Sequence, residues 1–150
     1  MNNSSPSKPN REYAAAFFLL RLFLGLRTLF SGIEKFEAKG TYSLQNYSDN
    51  MTRMAQGITG ASFLPLWATK SFAFVLGYAL IVLGAALLLG LRTRTTLFLT
   101  GLVYVALSFG LMAVQESEGV AWLGVHVAML AGALALVRHN RFSLWPDKLD

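Results

Sequence analysis

The sequence contains no cysteine and little charge for its length. Charged residues make up 14% of its 150 positions and hydrophobic residues 54%, whereas a soluble domain carries about 25% charged and about 45–50% apolar residues. The absence of cysteine excludes a disulfide framework, thiol–disulfide exchange and cysteine-ligated clusters or zinc within the chain. Its apolar residues are gathered in long runs, which indicates an integral membrane protein.

Four apolar runs are long enough to cross a bilayer as helices, and they cover residues 13–33, 71–91, 95–114 and 120–137. We therefore predict an all-α fold, a four-transmembrane-helix antiparallel bundle over residues 13–138. Residues 1–12 are expected to form a disordered polar cytoplasmic tail, and residues 139–150 a cytoplasmic C-terminal tail. The basic start of the chain resembles a signal peptide, but Arg21 interrupts the first run and no cleavage site follows, so we expect a retained helix.

The net charge of +5 comes mainly from basic residues at the ends of the apolar runs. This distribution is typical of a multi-pass membrane protein, so nucleic acid is not an expected partner. Seven lysines and arginines lie on the side that holds both chain ends, against four on the other side. We therefore predict a bacterial-type cytoplasmic (inner) membrane protein with both termini in the cytoplasm.

The connection after the first run is long and carries a helical pattern. Apolar residues recur in it at intervals of three and four, at Leu44, Tyr47, Met51, Met54 and Ile58. This spacing predicts a short amphipathic helix that begins after Ser43 and ends at Gly57 or Gly60. We expect the helix to lie at the outer interface, as a lid over the bundle. The alternative is a disordered loop with accidental spacing.

Small residues on the runs predict where the helices approach one another. They are spaced seven or eight apart, at Gly25 and Gly32, Gly77 and Gly84, and Gly124 and Gly132. We expect these glycines to serve helix packing and assign them no chemistry.

Arg21 lies about 12 Å inside the first run, near the middle of a hydrocarbon core about 30 Å thick. A central arginine costs about 2.5–3.5 kcal/mol on insertion scales, so it normally faces protein or a wet cavity. Arg21 shares a helix face with Gly25, Thr28 and Gly32. We therefore predict that it is buried among the helices, in a functional or inter-helix role.

Arg27 lies on a different face of the same helix, together with Ser31 and Glu34. Two helical turns separate Arg27 from Glu34, so the two can pair with extended side chains or through water. The alternative is that Arg27 and the neighbouring Lys35 extend to the outer headgroups.

His126 is the ionisable residue of the fourth run, and an intramembrane histidine is a functional candidate. The alternative is a neutral core histidine hydrogen-bonded to a serine or a carbonyl. Tyr104 lies on the small-residue face of the third run, within reach of Arg21 or His126. Arg21, Arg27, Glu34, Tyr104 and His126 are therefore candidates for one polar pocket. No haem or metal site is expected, because no cluster has metal-ligand spacing.

Two stretches carry a family resemblance. "LLRLFLGLRTLFSGIEKF" resembles the opening signature of the DoxX family, in which the matching positions are Arg21, Gly25, Gly32 and Lys35. "LGAALLLGLRTR" resembles its second hallmark, at Gly90, Thr93 and Arg94, and "RFSLWPD" is loosely similar to the family's ending. The resemblance implies a four-helix integral membrane protein. Relatives in that family include the DoxD-type subunit of thiosulfate:quinone oxidoreductase.

The resemblance and the polar residues together favour a small subunit of a larger redox, quinone-linked membrane complex of electron transport. The chain would act as an accessory or assembly subunit, or it would supply a quinone pocket with donors such as Arg21, Tyr104 and His126. A bound quinone would be its cofactor, and lipid and other membrane subunits its partners. The alternative is a stand-alone or catalytic subunit of a thiosulfate:quinone-oxidoreductase-like enzyme, although the chain has no self-contained catalytic constellation. A small-molecule transporter is the third hypothesis.

Overall fold

A computed structural model describes residues 11–145, which are mostly helical. The α-helices of this part of the chain are α1 (Arg11–Ile33), α2 (Leu44–Ala61), α3 (Leu66–Leu89), α4 (Thr93–Ala113) and α5 (Ser117–Leu136). Single 3-10 turns follow α1 at Glu34–Phe36 and α5 at Val137–His139. A two-stranded antiparallel hairpin of β1 (Glu37–Ala38) and β2 (Thr41–Tyr42) precedes α2.

Helices α1, α3, α4 and α5 are each long and apolar enough to cross a membrane. Helix α1 packs along α3, α4 packs along α5, and α1 also contacts α5. The all-α bundle of four spanning helices predicted from the sequence is thus confirmed. The second spanning helix begins at Leu66, earlier than the run we marked, directly after Pro65. Proline is compatible with a helix start because the first helical N–H groups have no intrahelical partner.

The hairpin between α1 and α2 is a feature that the apolar spacing did not predict. Its two turn residues, Lys39 and Gly40, have φ of 51° and 78°. Positive φ at both central residues is the requirement of the tight turn that matches strand twist, and glycine meets it without strain. The hairpin leads the chain directly into the start of α2.

Helix α2 is the predicted amphipathic helix of the long connection. The Ser43 hydroxyl caps it by accepting a hydrogen bond from the Asn46 backbone N–H at 3.0 Å. Tyr47, Met51 and Ile58 of its apolar stripe are buried, whereas Leu44 at the start of the helix is exposed. The helix packs chiefly against α3, with a smaller contact to α4. The stripe stabilises α2 on the bundle because its burial removes apolar area from water.

Tyr47 fixes α2 to α3. Its hydroxyl donates to the Phe74 carbonyl at 2.5 Å and accepts from the Gly77 N–H at 3.3 Å. Gly77 has no side chain, and a Cβ there would collide with the tyrosine ring. Burial raises the pKa of the Tyr47 hydroxyl, because a phenolate would lose its hydration.

Glycines on α1 and α3 allow these two helices to approach closely. A Cβ at Gly25 would lie 2.9 Å from the Leu88 side chain, and a Cβ at Gly84 would collide with the Leu29 backbone. A Cβ at Gly32 would likewise lie 2.9 Å from the Gly77 carbonyl oxygen. These glycines therefore serve the packing that the sequence suggested.

The expected packing face on the last spanning helix requires a correction. Gly124 and Gly132 are exposed, and a Cβ at either would have no atom within 4 Å. Helix α5 instead buries His126, Leu130 and Ala133. Gly124 and Gly132 therefore do not pack against the described residues, because a neighbouring face of α5 meets the bundle.

Candidate functional site

A cavity of about 700 Å³ lies between α2 and the spanning helices. Its polar lining comprises Arg27, Ser31, Glu34, Lys35, Asn50, Tyr104 and His126. Its apolar walls include Met51, Met54, Ile58, Leu80, Leu107, Leu111 and Leu123. Sites for small ligands commonly measure about 300–1,000 Å³ and combine apolar walls with a few polar groups. The cavity therefore has the size and the lining of a ligand site.

Four of the five candidate pocket residues line this cavity. Arg27 projects from α1, Glu34 from the turn after it, Tyr104 from α4 and His126 from α5. The sequence placed them on three separate runs, and the bundle brings them to a common space. Helix α2 forms one wall through the same stripe that the spacing predicted.

Arg27 and Glu34 form the ion pair that their spacing suggested. The distance from Arg27 Nη1 to Glu34 Oε2 is 3.7 Å, and the two side chains are 46% and 60% exposed. At this length and exposure the pair contributes little to stability. The guanidinium has five N–H donors in all, so the single long contact leaves it able to bind a further acceptor.

Tyr104 is buried, with 3% of its surface exposed. Its hydroxyl forms a hydrogen bond with Thr28 Oγ1 at 3.0 Å, and either oxygen can be the donor. The expected partner Arg21 is not the one found. The Tyr104 ring lies 5.7 Å from the His126 ring, centroid to centroid, so the two side chains form adjoining parts of one wall.

His126 is 8% exposed and has one ring nitrogen without a partner. Its Nδ1 lies 2.7 Å from the Trp122 carbonyl oxygen, one turn earlier on α5. Nε2 is buried and has no hydrogen-bond partner among residues 11–145. Buried polar atoms are nearly always hydrogen-bonded, so an exception is informative. The hydrogen bond to a carbonyl, which was the structural alternative for this histidine, is present at Nδ1. Nε2 has no such partner in the described part of the chain.

Lys35 and Asn50 complete the polar lining, although neither was among the candidates. Lys35 was expected to extend to headgroups, but it lines the cavity. Asn50 Nδ2 donates to the Lys35 and Glu37 carbonyls at 3.1 and 2.9 Å. Asn50 lies next to Met51, at the edge of the apolar stripe of the predicted amphipathic helix. That position was the feature of the sequence that could have identified Asn50 as a cavity residue.

Arg21 lies outside the cavity, contrary to the expectation of one pocket. It is 4% exposed, as its helix face predicted. Its Nη1 donates to Asn140 Oδ1 at 3.0 Å and to the Phe142 carbonyl, and Asn140 Nδ2 in turn donates to Thr93 Oγ1 at 2.9 Å. Gly90, at φ +71°, leaves room for the guanidinium, since a Cβ there would lie 2.7 Å from Nη1. Arg21 therefore holds the chain end against the bundle.

The segment after α5 folds back along the turn between α3 and α4. Leu144 N–H donates to the Leu89 carbonyl at 3.2 Å, and Arg92 N–H donates to the Trp145 carbonyl at 3.1 Å. The described part of the expected C-terminal tail is thus attached to the bundle rather than free. The expected N-terminal tail falls almost entirely outside the described residues, as do residues 146–150.

Metal ligands are not grouped in the described part of the chain. Between residues 11 and 145 no three histidine, aspartate or glutamate side chains lie close enough to hold an ion.

The four spanning helices and the cavity between them define a small integral membrane protein with an internal polar site. The sequence model of the DoxX family matches residues 16–114, about two thirds of the chain. The chain belongs to the DoxX family. Searches of curated proteins and of solved structures gave no match.

Proposed function

We propose that this protein is the quinone-binding subunit of a larger, quinone-linked redox complex in the inner membrane. The observation that carries the proposal is the buried, unpartnered Nε2 of His126, a residue that lines a cavity of about 700 Å³. A buried polar atom without a partner costs free energy unless a ligand or water meets it. The site is thus suited to a ligand with a polar group at this position.

The lining fits the chemistry of a quinone ring. A quinone is an apolar disc with an oxygen at each end, so it needs apolar walls and a few polar groups. Met51, Met54 and Leu107 supply apolar wall, while Arg27 and Lys35 supply donors. When bound, the quinone would act as the carrier of two electrons and two protons. The residues of this chain bind the ring, orient it and exclude water from it.

A second, smaller cavity supports an extended apolar ligand. It has a volume of about 180 Å³ and shares Ile58 and Gly110 with the larger cavity. Its other lining residues are almost all apolar. We assign the larger cavity to the ring and the smaller one to the start of an isoprenoid tail.

The proposed setting follows from the position of α2. With both termini in the cytoplasm, α2 and the cavity lie toward the outer side of the membrane. The bound ligand would exchange electrons with a partner subunit in the same membrane. That subunit would contact the outer faces of the spanning helices. Such a role makes the chain an accessory, ligand-binding part of the complex.

Gly57 and Gly60 provide a matched test of the proposal. Both lie on α2, and a Cβ at either meets no atom within 4 Å, but only Gly57 lines the cavity. We expect Gly57→Phe to weaken binding of decylubiquinone by roughly tenfold or more, because the phenylalanine side chain fills space in the cavity that the ligand needs. Gly60→Phe should bind as the parent protein does.

The measurement is equilibrium binding of decylubiquinone to the protein in lipid nanodiscs, with melting curves to verify folding of each variant. Absence of saturable binding of both decylubiquinone and decylubiquinol to the parent protein would refute the proposal. Equal affinity of both phenylalanine variants would place the ligand outside this cavity.

A further inference from the structure

We infer that the cavity selects the reduced, hydroxyl-bearing form of its ring ligand, a quinol, over the oxidised quinone. The inference rests on the proposed function and adds the redox form of the ligand to it. It arises from the hydrogen-bonding state of one nitrogen, His126 Nε2.

The proton on His126 is placed by its contact with Trp122. A backbone carbonyl oxygen can only accept a hydrogen bond. Nδ1 must therefore carry the proton, because it lies 2.7 Å from that oxygen. In the neutral imidazole the other nitrogen is then a bare acceptor. Nε2 thus presents a lone pair and requires a donor.

The charged groups of the cavity do not meet Nε2. Arg27, Glu34 and Lys35 share the lining with His126, but none of them forms a hydrogen bond with Nε2, which has no partner among the described residues. The lone pair of the neutral imidazole therefore requires a donor from a ligand.

The two redox forms differ in what they offer this acceptor. A quinone has carbonyl oxygens, which accept hydrogen bonds and would face the Nε2 lone pair without a proton between them. A quinol has hydroxyl groups, and one of them can donate to Nε2. Leaving a buried acceptor unmet weakens binding by roughly tenfold or more. His126 therefore discriminates between the forms.

The cationic side of the cavity does not oppose this selection. The Arg27 guanidinium and the Lys35 ammonium are donors only. A quinol oxygen and a quinone oxygen can both accept from them. Preference for the reduced form therefore depends on His126, which makes the inference testable at a single residue.

The test compares three ligands under anaerobic conditions: decylubiquinol, decylubiquinone, and decylubiquinol dimethyl ether, which has the ring of the reduced form but no hydroxyl. Equilibrium dissociation constants are measured for the parent protein, His126→Phe and His139→Phe in nanodiscs. His139 is the matched control, because its Nδ1 is also buried without a partner but it does not line the cavity.

We expect the parent protein and His139→Phe to bind the quinol roughly tenfold or more tightly than the quinone or the ether. His126→Phe should bind all three with similar affinity. Equal or tighter binding of the quinone by the parent protein would overturn the inference and leave ring binding intact. If no ligand binds the parent protein, both the inference and the proposed function fail.

A spectroscopic measurement on the parent protein removes the dependence on a folded His126→Phe. In histidine-selective nitrogen-15 spectra, protonated and unprotonated ring nitrogens resonate far apart, and His139→Phe assigns the signals. We expect an unprotonated His126 Nε2 whose resonance moves on addition of decylubiquinol and not on addition of the dimethyl ether. A protonated Nε2 in the ligand-free protein would overturn the inference.

Discussion

Arg21 and Arg27 lie six positions apart on one helix, yet they differ in burial and in hydrogen bonding. Arg21 is 4% exposed and is bound by a side-chain amide and a backbone carbonyl. Arg27 is about half exposed, has one long contact to Glu34, and lines the cavity of about 700 Å³. The same residue type holds the segment after α5 at one end of the bundle and lines a ligand-sized cavity at the other.

The difference indicates where binding is possible. The Arg21 cation is buried outside the cavity and donates to two acceptors of the chain, so its removal leaves those acceptors unmet. A cation with a weak, exposed partner contributes little to folding but can bind an acceptor. Weak pairing and access to the cavity therefore distinguish Arg27 from the structural Arg21.

The largest expected effect is on stability, from Arg21→Met. Asn140 Oδ1 and the Phe142 carbonyl would lose their donor, and each unmet buried acceptor costs about 1–3 kcal/mol. We expect a loss of about 3 kcal/mol in the free energy of unfolding, measured by denaturation in mixed micelles. Arg27→Met is the control and should cost less than about 1 kcal/mol. Equal losses in the two variants would remove the distinction between the arginines.

A second comparison uses glycines of the packed and open regions. Gly84→Ala places a methyl group against the Leu29 backbone, whereas Gly57→Ala extends toward the cavity wall with no atom within 4 Å. Overpacking costs about 1–3 kcal/mol, while alanine in place of glycine within a helix gains up to about 1 kcal/mol. We expect Gly84→Ala to lower the unfolding free energy and Gly57→Ala to leave it unchanged or raise it. A reversed order would contradict the assignment of the two regions.

The smallest effect concerns the attachment of α2 and its dependence on pH. Burial raises the pKa of Tyr47 above the ordinary value of 10.0, so the neutral hydroxyl is favoured in the folded state. The stability that it contributes is complete below about pH 10 and is lost as pH rises through the higher folded-state pKa. Hydrogen exchange of α2 amides should therefore accelerate more steeply at alkaline pH in the parent protein than in Tyr47→Phe. Tyr42→Phe is the control, because Tyr42 is 65% exposed. This variant should behave as the parent protein does.

The sequence predicted the parts of the fold that depend on hydrophobic periodicity. Four apolar runs gave the spanning helices, and the stripe after Ser43 gave α2. The hairpin at Lys39–Gly40 was missed because a two-residue turn between two-residue strands leaves no periodic signal. The outward face of Gly124 and Gly132 was missed for another reason, since a small-residue spacing is the same whether or not another helix covers it.

The candidate site was predictable where neighbouring positions decided it. Arg27 and Glu34 share a helix face, so their contact followed from spacing. Arg21 was placed among the wrong partners because Asn140 and Phe142 lie in a segment without regular structure. Long-range contacts of irregular segments leave no mark in local pattern.

The partner of Arg21 lies 119 residues further along the chain, and this has a consequence for biogenesis. During synthesis α1 enters the bilayer long before the ribosome has made Asn140, so the newly inserted helix carries an arginine without this partner until residue 140 has been added. The contact is therefore made after all the described helices have been synthesised. A protein truncated just before Asn140 would never form it.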